Sequence, residues 1–224
     1  MTDTSLGNYP QRPIAGSCQN AYIISRRSLD AASSFLDTFV AVRKERQAIG
    51  TPTDEEQDLL RGMLVFSCAG LDSLVKQLIR EALPSVIDQA AGAEEMFRVF
   101  IERRLSRGDK FDHRLLADVL AERDPRARLA RELVRDLTSG SLQSKEELFR
   151  AASYFDIPTH VLTSSPDLVQ EIFEARNQIV HEMDIDFGQS NRNCRPRRKK
   201  AFIDYSKEVF RLGGVFLAEV DRRL

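Results

Sequence analysis

The chain has 224 residues, 42% of them hydrophobic and 30% charged, and its net charge is −1. This composition excludes a disordered chain, its length can bury a core without staples, and its charge balance does not mark it as a nucleic-acid binder. It has no run of eighteen apolar residues, no apolar signal-peptide core near its start, and three widely spaced cysteines without a Cys-x-x-Cys pair, so the expectation is a cytoplasmic protein with no membrane span, metal or cofactor.

Residues 1–16 hold Gly7, Pro10, Pro13 and Gly16 without periodicity and read as an extended arm. The rest, 17–224, reads as one helical domain. From about Cys18 to Gln47, apolar residues recur every three or four positions (Tyr22, Leu29, Ala32, Phe35, Leu36, Phe39, Val42), the mark of an amphipathic helix. Gly50-Thr51-Pro52 breaks it. Thr53 with Glu56 makes a capping box for a second long helix, which Pro84 is expected to end.

Segments near 85–106, 112–121 and 125–137 look helical, separated by Gly108-Asp109 and Asp124-Pro125. Ser144 with Glu147 predicts a second capping box and a short helix through Tyr154. Ser165-Pro166-Asp167 is a cap, a proline in the first helical position and an acid in the first turn, and opens a helix to about Met183. A polar loop follows over 186–198, and a last helix covers about 199–222. No segment alternates as a strand does. The expected fold is all-α: an antiparallel bundle of long helices, with a short-helix insertion at about 85–165.

Phosphate-binding glycine loops, dinucleotide fingerprints, zinc helices and nucleophile elbows are all missing. The penultimate helix carries the candidate chemistry. On a helical projection, Leu168, Val169, Ile172, Phe173, Ala175, Ile179 and Val180 share one apolar arc, and Arg176 falls inside it. Gln170, Glu174, Asn177 and His181 form a polar stripe opposite. An arginine in an apolar face needs a partner for its charge. Two readings are open: an ion pair, with Asp72 of the second helix as the candidate, or an active-site arginine at an interface, aimed at a phosphate. His181 titrates near neutrality and suits proton transfer, although an exposed histidine is also an ordinary solvated residue.

The segment Glu174-Ala175-Arg176-Asn177-Gln178-Ile179-Val180-His181 resembles the signature of the HEPN superfamily: arginine, a polar residue, three further residues and a histidine, near the end of a core helix with another helix following. The resemblance covers the core helices, about 17–83 and 165–223. It implies a metal-independent endoribonuclease acting as a homodimer with a composite active site. In such enzymes the RNA 2′-hydroxyl attacks the adjacent phosphodiester. The resemblance makes His181 the general acid or base and Arg176 the stabiliser of transition-state charge, while Asn177 orients the phosphate or the imidazole. Glu174 and Glu182 are either supporting groups or solvated helix residues. The biological role it implies is a toxin or a defence or stress effector, held by an antitoxin or regulatory partner. Some relatives of this kind carry a tyrosine two residues past the histidine; here that position is Met183.

Arg192, Arg195, Arg197, Arg198, Lys199 and Lys200 lie together after the acidic run Glu182, Asp184 and Asp186. They read either as RNA-binding residues beside the site or as a solvated basic loop. The alternative to the nuclease is a catalytically silent helical interaction module that binds a partner protein or a nucleotide. It would keep Arg176 at an interface and have no need of His181.

Overall fold

The computed structural model describes residues 5–107 and 110–224, so the expected Gly108-Asp109 break lies outside them. Among the described residues the chain is all-α. The helices are α1 (Gln19–Glu45), α2 (Asp54–Glu81), α3 (Leu83–Gln89), α4 (Ala91–Leu105), α5 (His113–Leu120), α6 (Pro125–Ser139), α7 (Lys145–Tyr154), α8 (Thr159–Leu162), α9 (Pro166–Glu182) and α10 (Lys199–Asp221). One departure from the sequence reading is a minimal antiparallel pair, Ser106–Arg107 (β1) against Lys110–Phe111 (β2). Two residues a side make a turn-like clasp and leave the fold class unchanged.

The central element is α2. It packs along α1 and α10, and α9 and α6 close on it further round. A helix enclosed by several others is apolar over most of its circumference. By length and composition α2 could cross a membrane, yet more than half of its most apolar window is buried inside the bundle. The α1–α2 contact is intimate because Gly70 faces Ser28: a Cβ at Gly70 would lie 2.3 Å from the Ser28 Cβ.

The turn between α1 and α2 is fixed by the expected capping box. Thr53 Oγ1 accepts from the Glu56 amide, and the Glu56 carboxylate accepts from the Thr53 amide. That carboxylate is almost fully buried and also takes Arg43 at 2.7 Å and Arg46 at 2.9 Å. Burial pushes its pKa up, but the Thr53 amide and the two guanidinium groups outweigh burial and hold it below the usual carboxylate range.

Several boundaries differ from the sequence reading. Pro84 does not end α2; it sits in the first turn of α3, where its missing N–H is harmless. The segment 85–106 is two helices, divided at Ala90 with an extended backbone (φ −114°, ψ 119°). No glycine or proline marks that break. It lies beside a close tertiary approach, where a Cβ at Gly92 would be 2.1 Å from Asp156 Oδ1. Ser144 accepts from the Glu147 amide, which is half of the expected box. Ser165 makes no side-chain cap; its own amide donates to Thr163 Oγ1 at 3.0 Å.

The described part of the N-terminal arm is strapped to the bundle. Leu6 is buried, Tyr9 hydrogen-bonds Asp30 beneath the Arg26 guanidinium, and the amides of Ile14 and Ala15 donate to the Asp221 carboxylate at 3.0 and 2.7 Å.

Candidate functional site

Val169, Ile172, Phe173, Ala175 and Ile179 seat α9 in the core, as the apolar arc requires. Towards its C-terminal end the helix rises out of the core, and Val180 and Met183 on the same arc are exposed. Met183 ends the helix in the left-handed conformation (φ 52°), which turns the next amide, that of Asp184, back onto the Gln178 carbonyl at 2.9 Å.

Arg176 lies half buried where the arc leaves the core. It is close enough to the Cys68 thiol of α2 to offset part of the burial that pushes that thiol up to about 12. No carboxylate pairs with Arg176 among the described residues. Its Nη1 donates to Asn177 Oδ1 at 2.9 Å, and its Nε is buried without a partner. Asp72 is not its counter-ion: that carboxylate takes Lys76 at 2.8 Å and the Leu142 amide at 2.7 Å, tying the insertion to α2. Of the two readings of Arg176, the ion pair with Asp72 is therefore absent.

Asn177 and His181 are exposed on the outer stripe, one helical turn apart. The imidazole makes no hydrogen bond or ion pair with the described residues. Glu174 is exposed and accepts from Gln170 at 2.7 Å. Glu182 is bound at 2.7 Å by Arg195.

The basic cluster divides into two sets. Arg195 and Arg197 are held inside the protein, the first on Glu182 and the second on Asp184 and Gln178. Lys200 pairs with Asp204 on α10. Lys199 lies 5.3 Å over the ring of Phe39. Arg192 and Arg198 are exposed and meet no carboxylate among the described residues. Three of the six cations, Arg195, Arg197 and Lys200, thus already carry an acidic partner.

The residue that organises this loop was not visible in the sequence. Asp184 is fully buried and accepts from Arg61 Nε of α2 at 3.1 Å and from Arg197 Nε at 3.0 Å. Arg61 is itself buried and reaches on to Asp58 at 2.8 Å. Burial alone would lower the Arg61 pKa, but Asp58 and Asp184 more than reverse this and keep it charged. Around Asp184 the backbone pairs briefly: Arg195 donates to the Asp184 carbonyl at 2.8 Å, and Asp186 donates to the Asn193 carbonyl at 2.9 Å. The only sequence signal for this node was an acid following the helix and a basic run after it, a pattern that solvated loops share.

The motif side chains sit on an open face. Two clefts of about 860 and 680 Å³ run beside the N-terminal arm, and neither is lined by Arg176, Asn177 or His181. One face of α2 presents Gly62, Val65, Phe66, Ala69 and Ser73, half-buried or exposed and without a charge, with Phe66 packed against Phe35 of α1. Among the described residues no group of three or more His, Cys, Asp or Glu side chains could hold a metal ion. His113 and His160 are exposed on α5 and α8. The chain matches no family model, no curated protein and no solved structure.

Proposed function

We propose that the protein is a metal-independent endoribonuclease of the HEPN type, acting as a homodimer in a toxin or defence role. The observation that carries the reading is the state of Arg176. A guanidinium half buried in an apolar arc, with no carboxylate partner among the described residues and one buried N–H unsatisfied, is a cation suited to an anion from outside the protomer. A phosphodiester is such an anion, and arginine matches its geometry.

The neighbouring groups supply the remaining chemistry. His181 stands exposed near the end of the same helix and accepts the 2′-hydroxyl proton. The 2′-oxygen forms a bond to phosphorus, the bond to the 5′-oxygen breaks, and that oxygen takes a proton from an imidazolium. The products are a 2′,3′-cyclic phosphate and a 5′-hydroxyl. Arg176 stabilises the charge that grows on the non-bridging oxygens, and Asn177, already fixed by Arg176 Nη1, orients the phosphate.

An open face also supports dimerisation. His181 is exposed in the single protomer, and water-exposed donors are weak. A second copy docked on the uncharged face of α2 and on Val180 and Met183 would supply a covering wall and a second Arg176–His181 pair.

The test is cleavage of total RNA and of tRNA in excess EDTA, beside His181→Ala. Discrete fragments with 5′-hydroxyl ends, lost in the variant, are the expected result. Intact RNA with folded, dimeric wild-type protein would instead favour the interaction module.

A further inference from the structure

The loop between α9 and α10 presents a feature that the cleavage chemistry does not use. Phe187 is 56% exposed in an otherwise polar segment, flanked by Asp186 and Gly188. Exposed phenylalanines are ordinary when they ride on slack loops, but this loop is not slack. Asp184 is locked by Arg61 and Arg197, and backbone bonds at 184–195 and 186–193 close its base. Asp186 then turns the chain, accepting from the Gly188 amide at 3.0 Å and from Gln189 Nε2 at 2.8 Å. Arg192, held in the left-handed region (φ 51°), places its guanidinium 5.7 Å from the centre of the Phe187 ring. That contact covers one part of the ring and leaves the larger part open.

A rigidly mounted aromatic, a guanidinium stacked on it and a second exposed cation (Arg198) are the elements that bind an unpaired nucleotide. The open ring face stacks a base, and the cations meet the flanking phosphates. In a duplex the base faces are covered by their neighbours, so the same surface gains only the phosphate contacts. α9 ends one residue after His181, which puts the platform at the same end of the motif helix as the proposed chemistry. We propose that Phe187, with Arg192, is a base-stacking subsite that directs the enzyme to single-stranded RNA. The inference rests on the nuclease reading for its biological use, but its binding test does not depend on cleavage.

The chain contains no tryptophan, so Phe187→Trp installs a single tryptophan at the platform, excited selectively at a wavelength beyond the absorption of the tyrosines. The measurement uses His181→Ala protein to prevent cleavage, with a twelve-nucleotide single-stranded RNA and the same RNA annealed to its complement. Saturable quenching of the tryptophan by the single strand and little change with the duplex is the expected result. In parallel, Phe187→Ala should raise the Kd for the single strand by roughly 5- to 150-fold, the loss expected for one base–aromatic stack. The duplex Kd should move by less than about twofold, as suits a site whose duplex contacts are to phosphates. Circular dichroism checks that the variants fold, which the exposure of Phe187 favours.

Unquenched tryptophan, with single-strand binding by His181→Ala protein equal with and without Phe187→Ala, would overturn the platform and leave the nuclease reading standing. Equal loss of single strand and duplex in Phe187→Ala would also overturn it. Quenching by the single strand without cleavage by wild type would uphold the platform and remove the nuclease reading.

Discussion

Arg61 and Asp184 are separated by 123 positions in sequence, and their side chains meet at 3.1 Å inside the protein. The pair joins the central helix to the residue where the motif helix has just ended. Both partners are buried, so neither charge has water to fall back on.

Removing one side of this pair should therefore be costly. Asp184→Asn leaves Arg61 and Arg197 facing a neutral amide, and the expected loss is about 3–5 kcal/mol in urea unfolding. Adding Arg61→Met should recover part of it, because the more deeply buried guanidinium is then gone. A single variant within 0.5 kcal/mol of wild type would show that the pair carries little.

Gly70→Ala tests the close approach of α1 and α2. The added methyl would lie 2.3 Å from the Ser28 Cβ, so the helices must part or shift. The expected destabilisation is about 1–3 kcal/mol. Gly70→Ala combined with Ser28→Gly should restore much of it, since the second change removes the atoms that clash.

Glu56 makes stability depend on acid in a defined direction. Its folded pKa lies below that of the unfolded chain, which is about 4.3 for glutamate. The folded protein therefore holds the proton less tightly than the unfolded one. The stabilisation is present above about pH 4.3 and fades as pH falls through the lower folded value. Urea melts of wild type and Glu56→Gln should differ at pH 7 and converge on acidification. A constant gap would place the effect in packing and not in charge.

The thiols should separate by reactivity. Burial pushes Cys68 up to about 12 and Cys18 up to about 11, whereas Cys194 is half exposed. A thiol-exchange reagent at pH 8 should titrate one cysteine in the folded protein and all three in guanidinium. The unfolded thiols ionise near pH 8.5, so their neutral burial stabilises the fold below that pH. That contribution is lost as pH climbs towards the folded values.

The long helices were legible because their signals are local and redundant. The apolar spacing of α1, the Thr53–Glu56 box and the Ser165-Pro166 start each locate an element from a few adjacent residues. The division at Ala90 was not legible, because it accompanies a contact between Gly92 and Asp156, far apart in the chain. The site follows the same rule. Arg176, Asn177 and His181 share one helix, so their spacing could be read directly. Arg61 and Asp184 lie on different elements, and only the fold brings them together. The fate of Arg195 and Arg197 was hidden for the same reason, since a charge run does not announce which of its members will be neutralised.

The position of α2 also governs the order of assembly. It is synthesised well before α10, yet one of its walls is supplied by that helix. Until α10 emerges, a helix long and apolar enough to cross a membrane has an unfilled side. Nascent protein should thus remain prone to aggregation from the synthesis of α2 until α10 has been made.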